Sequence, residues 1–143
     1  MRHELRRRFA QRLRQEGRTR LVDVGAGPGL DTEEWTRDGF DVIGVDLAHA
    51  NVERMVHERQ LVGVTGSLFQ LPFRARGFDA LWSMSTFVHV PDERLDRALA
   101  ELLRMVPPGA PLGIGTWGGP DFEGVPGFGD LRPFRFFALR SHD

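Results

Sequence analysis

Apolar and polar residues alternate along this chain in two rhythms. Short apolar runs at 20–24, 40–46, 61–65, 78–83 and 111–117 are the length of strands and carry β-branched and aromatic residues. Between them the apolar positions fall three or four apart. Leu5, Phe9 and Leu13 make one such stripe. Ala48, Val52, Met55, Val56 and Arg59 mark a second helical face, and Leu95, Leu99, Leu102, Leu103 and Val106 a third. A further short helix is expected over 30–38, closed by Gly39. Pro91-Asp92-Glu93 opens the third stripe with acids in the first turn, and Pro107-Pro108-Gly109 ends it. Strands alternating with helices at this spacing predict an α/β domain with a parallel sheet and right-handed crossovers. The expected layout is one domain: a first helix over 1–19, a core over 20–117, and a loop and tail over 118–143. The 118–130 stretch reads as a glycine- and proline-rich loop, 134–139 as an apolar run, and Ser141-His142-Asp143 as a helix N-cap.

The first strand runs into Gly25-Ala26-Gly27-Pro28-Gly29 and then Leu30-Asp31-Thr32-Glu33-Glu34. A strand, a glycine turn and a helix start present bare backbone N–H groups to a ligand. An ordinary strand-to-helix turn would use the same residues. The spacing departs from the dinucleotide fingerprint, because Leu30 stands where its third glycine would fall. Asp31, Glu33 and Glu34 crowd the place of a pyrophosphate, where like charges repel. A P-loop needs a lysine, and all 19 basic residues here are arginine. The ligand expected is a nucleoside without phosphates that carries positive charge. Asp46, at the tip of the second strand, is suited to a ribose, since a carboxylate has two oxygens and only accepts.

Composition narrows the rest. The 143 residues suffice for one core, and no apolar run reaches the ~18 residues of a membrane span. With no cysteine, disulfides and thiolate chemistry are excluded, and cytoplasm is the default expectation. His49 and His57 are eight apart, which is not a ligand pair, and no metal site is expected. Residues 2–20 hold eight arginines and two glutamates, and the one aromatic residue among them, Phe9, belongs to the apolar stripe, which leaves none on the arginine face for base stacking. A packed helix with a solvated arginine face is therefore expected, rather than an arm for RNA.

Taken together, the motifs resemble the class I S-adenosylmethionine-dependent methyltransferases of the small-molecule type. Val22-Asp23-Val24-Gly25-Ala26-Gly27-Pro28-Gly29 resembles motif I, and Val45-Asp46-Leu47 the acid that follows it. Gly66-Ser67-Leu68 through Leu71-Pro72-Phe73 resembles motif II, with Ser67 where the family usually has an acid. Phe78-Asp79 through Val88-His89-Val90-Pro91 and Leu103-Arg104-Met105-Val106-Pro107-Pro108-Gly109 complete the series.

The resemblance implies a Rossmann-like three-layer α/β/α sandwich with strand order 3-2-1-4-5, the family's last two strands missing. It implies S-adenosylmethionine as cofactor and S-adenosylhomocysteine as product. Gly25, Ala26 and Gly27 would approach the methionine part, with Asp23 ordering the loop or its ammonium. Asp46 would hold the ribose, Leu47 the adenine face, Ser67 and Leu68 the adenine edge. Ser83 would offer its carbonyl, and His89 would serve as base or substrate contact. A small-molecule methyl acceptor is implied, and a homodimer through an exposed last strand is expected. The rival expectation is a non-catalytic cofactor-binding subunit.

Overall fold

The computed structural model describes residues 2–125 and 135–141. Strands β1 (Arg20–Val24), β2 (Asp41–Asp46), β3 (Gly63–Thr65), β4 (Ala80–Met84) and β5 (Leu112–Gly115) form one sheet in the order β3-β2-β1-β4-β5. All four pairings are parallel, from Arg20↔Asp41 to Met84↔Gly115. The central strands are buried on both faces, so β1 shows no alternation beyond its first residue.

Helices α1 (Arg2–Gln15), α2 (Leu30–Arg37) and α3 (His49–Glu53) cover one face, and α4 (Leu95–Arg104) the other. Under α1 and α2 lie Phe9, Trp35, Phe40 and Trp82, with ring centroids 5.2–6.0 Å apart. Such aromatic pairs add about 0.5–1.5 kcal/mol each beyond their buried area. Trp82 finds room because Gly113 lies beside it: a Cβ there would sit 2.3 Å from its ring. Under α4, Val22, Leu81, Ala98, Leu102 and Met105 close the second core.

Several expected elements differ in detail. Leu103 is 55 % exposed, and Ala98 on α4 and Met105 just after it are buried instead. The second helical stripe is α-helical only to Glu53; Arg54–Glu58 continues as a π-helical turn, which keeps Met55 fully buried under Gly44. The expected 118–130 loop contains a strand, β6 (Phe122–Gly124), which pairs antiparallel with β7 (Phe137–Leu139) from the apolar run. These two strands form a sheet of their own. Ser141 lies outside any regular element, and the rest of the expected N-cap at His142 and Asp143 lies outside the described residues. Among the described residues β5 pairs only with β4, and Leu112 and Ile114 are 36 % and 39 % exposed.

Candidate cofactor and active site

Chain polarity brings the tips of β1, β2 and β4 to one edge of the sheet. At that edge the Gly25 and Ala26 N–H groups both donate to the Val45 carbonyl, at 2.8 and 2.9 Å. Gly25, Gly27 and Gly29 have φ of 73°, 58° and 85°, a region that L side chains rarely adopt. Gly25 also faces the Thr86 side chain so closely that a Cβ would lie 1.9 Å from its Oγ1. Gly27, by contrast, faces open space. Its N–H donates to Asp46 Oδ2 at 2.8 Å, while Asp46 Oδ1 accepts from Ala48 N–H (2.9 Å) and Asn51 Nδ2 (3.1 Å). The Asp46 carboxylate thus pins the glycine loop to the start of α3 and keeps a lone pair of Oδ2 free.

Leu47 beside it is 73 % exposed. The Gly66 N–H donates to the Asp46 carbonyl at 3.0 Å, which draws the Ser67-Leu68 turn to the same tip. There Ser67 Oγ accepts from Phe69 N–H at 3.3 Å, and Leu68 packs half-buried on the core.

Beneath the loop lies a buried acid. Asp23 is 2 % exposed, and its Oδ2 accepts from Thr32 Oγ1 at 2.7 Å. Among the described residues its Oδ1 makes no hydrogen bond. Burial pushes its pKa up to about 7; the Thr32 bond opposes the shift, Asp31 adds to it, Arg2 opposes it, and Asp46 adds to it. Asp31 is itself engaged, accepting from Trp82 Nε1 (2.7 Å) and from Arg2 Nε (3.0 Å). The acids of α2 are therefore not free charges at a helix start. Glu33 pairs with Arg59 and Glu34 with Arg6. The expected repulsion of a phosphate by these three is largely neutralised, and the case against a dinucleotide rests on Leu30 and the loop spacing.

At the tip of β4, Ser83 is fully buried and its Oγ donates to the Val24 carbonyl at 2.9 Å, as Thr86 Oγ1 does at 3.0 Å. Ser83 therefore offers no free side-chain group, and its backbone sits in the β4–β5 ladder opposite Ile114. Ser85 between them has φ +61°, uncommon for a non-glycine residue, and accepts from Trp117 Nε1 at 3.1 Å. His89 closes a 3₁₀ turn over Phe87–His89 and is exposed. Its Nδ1 lies 2.8 Å from the Phe136 carbonyl, which can only accept, so Nδ1 carries a proton.

The expected site residues thus gather at one edge: Gly25, Ala26, Gly27, Asp46, Leu47, Ser67 and Leu68 around the β1 and β2 tips, Asp23 below, Ser83 and His89 on the β4 side. Sequence reading missed Thr86, Thr32, Ser85 and Trp117. Only the Ser-x-Ser-Thr run at the end of the fourth strand hints at the first and third. A cleft of about 430 Å³ between Arg76, Leu103, Pro108 and Leu112 lies at the opposite end of the strands and takes no part in this edge. Among the described residues no group of three or more His, Asp or Glu side chains is placed to hold a metal, and no helix is long and apolar enough to cross a membrane.

A sheet in this order, with a glycine loop after β1 and an acid at the tip of β2, is the class I methyltransferase arrangement. Residues 22–114 match the family model of the methyltransferase domain, and the chain belongs to this S-adenosylmethionine-dependent family. It is 32% identical over 114 residues to a 2-methyl-6-phytyl-1,4-hydroquinone methyltransferase of Synechocystis sp., covering 76% of this chain and 35% of that one. To a sterol 24-C-methyltransferase of Yarrowia lipolytica it is 29% identical over 106 residues, covering 68% of this chain and 27% of that one. The chain therefore spans about a quarter to a third of the length of these curated relatives. A SAM-dependent methyltransferase of Methanosarcina mazei shares the fold, with TM-score 0.74 and 18% identity over 85% of this chain and 72% of that one.

The residues fit S-adenosylmethionine. The open side of Gly27 leaves room over the loop backbone, Asp23 Oδ1 and Asp46 Oδ2 are acceptors with capacity to spare, and the exposed face of Leu47 stands next to Asp46.

Proposed function

We propose that this chain binds S-adenosylmethionine and that its protein transfers the methyl group to an oxygen, nitrogen or carbon nucleophile of a small molecule. The observation that carries the reading is the Gly27–Asp46 bond, which holds a bare glycine backbone and a ribose-suited carboxylate side by side. When bound, the cofactor supplies an electrophilic methyl on a sulfonium. Gly25 and Gly27 give close approach, Asp23 answers positive charge from below, Asp46 accepts from ribose hydroxyls, and Leu47 covers the adenine. Ser67 and Leu68 border the adenine edge, and the Ser83 end of β4 forms the far wall. The protein's remaining task is positioning and exclusion of water. His89 Nε2, an acceptor in the neutral imidazole, takes the proton when the acceptor carries one.

The relatives named for a hydroquinone and a sterol support a small-molecule acceptor. The arginines of α1 do not support an RNA role: Arg6 is spent on Glu34 and Asp38, Arg7 and Arg8 on Glu4, and Arg12 on Glu16. A cytoplasmic enzyme that pairs through β5 with a second copy completes the reading. The test is formation of S-adenosylhomocysteine from S-adenosylmethionine over a panel of phenols, amines and carbon acids. Product with one acceptor class, lost in Asp46→Ala, supports it; no product from any class with the chain extended to its relatives' length would end it.

A further inference from the structure

Beside the glycine loop, on the β4 side, three rings stand in a row. His89 meets Phe137 edge-on at 5.0 Å, and Phe137 meets Trp117 at 6.2 Å and 35°. The row joins the loop through two adjacent residues. Trp117 is tied to Ser85, and Thr86 next to it touches Gly25. Trp117 is 58 % exposed, whereas Trp35 and Trp82 are fully buried. An indole that is both exposed and held in place is a preorganised stacking face.

Hydrogen bonding leaves this face almost wholly apolar. The only donor of Trp117 is spent on Ser85, and Nδ1 of His89 on Phe136. What remains on the rings is His89 Nε2, which is an acceptor in the neutral imidazole. The charges at the border are turned toward one another. Arg140 binds Asp92 and the carbonyls of Phe87 and Val90, Glu123 accepts from the Asp92 N–H, and Asp121 accepts from the Ser141 N–H. Arg135, exposed ahead of β7, has no ion pair among the described residues.

We infer that Trp117 and Phe137 set the acceptor class of this enzyme, and that the acceptor is a planar, uncharged aromatic ring bearing a hydroxyl group. The ring stacks on Trp117 and the hydroxyl donates to His89 Nε2. This rests on the methyl-transfer reading, and the occupant follows from continuity of the rings with the glycine loop.

The test is calorimetric titration of the chain with 2-naphthol, with and without S-adenosylhomocysteine, against 2-naphthoate and cyclohexanol. We expect 2-naphthol to bind, with at least tenfold preference over both comparators. Trp117→Ala and Phe137→Ala should each weaken it about tenfold, Trp117→Phe should restore most of it, and affinity for S-adenosylhomocysteine should stay within twofold throughout. Trp117 is exposed, so its variants should melt as the wild type does. Equal 2-naphthol affinity in Trp117→Ala, tighter binding of 2-naphthoate, or no 2-naphthol binding would each overturn the inference. If S-adenosylhomocysteine itself fails to bind, the methyl-transfer reading falls separately, and the titrations without it still decide the aromatic site.

Discussion

Replacing Asp23 by asparagine should remove a pH dependence of stability that the wild type carries. Asp23 is buried under the glycine loop, with one hydrogen bond from Thr32 and the carboxylates of Asp31 and Asp46 nearby. Its pKa is raised from 3.8 to about 7, chiefly by burial. Below the unfolded value the group is protonated in both states and its favourable share of stability is complete. As pH rises the unfolded chain loses the proton first, so the folded state binds more protons and stability falls until pH passes about 7. At about 1.4 kcal/mol per unit the whole shift corresponds to about 4 kcal/mol, of which about 3 kcal/mol falls between pH 5 and pH 8. Asparagine does not titrate, and its amide oxygen can still accept from Thr32. Urea unfolding of both proteins at half-unit steps over that range gives the difference curve, in which the other titrating groups cancel. The difference should change by about 3 kcal/mol in the direction that disfavours the wild type at high pH. Parallel curves, within about 0.5 kcal/mol, would show that Asp23 is ionised in the fold throughout, and the account of a desolvated acid would be refuted.

Five other substitutions probe neighbouring links. Asp46→Ala should weaken S-adenosylhomocysteine binding by about 1–3 kcal/mol in calorimetry. It should also lower the melting temperature, because the glycine loop and the α3 start lose their shared acceptor. Gly25→Ala should abolish cofactor binding, since its φ is +73° and its Cβ would meet Thr86 Oγ1 at 1.9 Å; retained affinity would place the cofactor elsewhere. Arg6→Gln should cost about 1–3 kcal/mol in denaturant unfolding, as its partners Glu34 and Asp38 are partly buried, while Arg7→Gln and Arg8→Gln should stay within about 0.5 kcal/mol.

The sheet was legible because its evidence is local and repeated. Each strand is a short apolar run, and Gly39 and Pro107-Pro108-Gly109 punctuate the helices where the chain does turn. The strand order followed from the resemblance, since nothing in a single strand says which neighbour it takes. Leu103 misled because a helical stripe is wider than the face that packs, and only the position of β5 decides which leucine is left outside. β6 and β7 were not legible: each is three residues long, and their pairing is a long-range fact between two irregular stretches.

At the site, the glycine loop and Asp46 could be read from spacing, because tight turns and strand-tip acids have few residue choices. Thr86, Ser85 and Trp117 could not. Their roles arise from contacts of the β4 tip with the loops after β1 and β5, separated by 32 to 62 positions in the chain. The acids of α2 show the opposite error: the local sequence presents them as free charges, but the arginines that neutralise them come from α1 and from the end of the π-helical turn.

The central claim is that the edge formed by Gly25, Gly27 and Asp46 takes an S-adenosyl cofactor in place of a dinucleotide. Calorimetric titration of the chain with S-adenosylhomocysteine and, separately, with NAD measures this directly. The account predicts saturable binding of S-adenosylhomocysteine that Asp46→Ala weakens at least fivefold, with no heat from NAD. Binding of NAD with none of S-adenosylhomocysteine would contradict it.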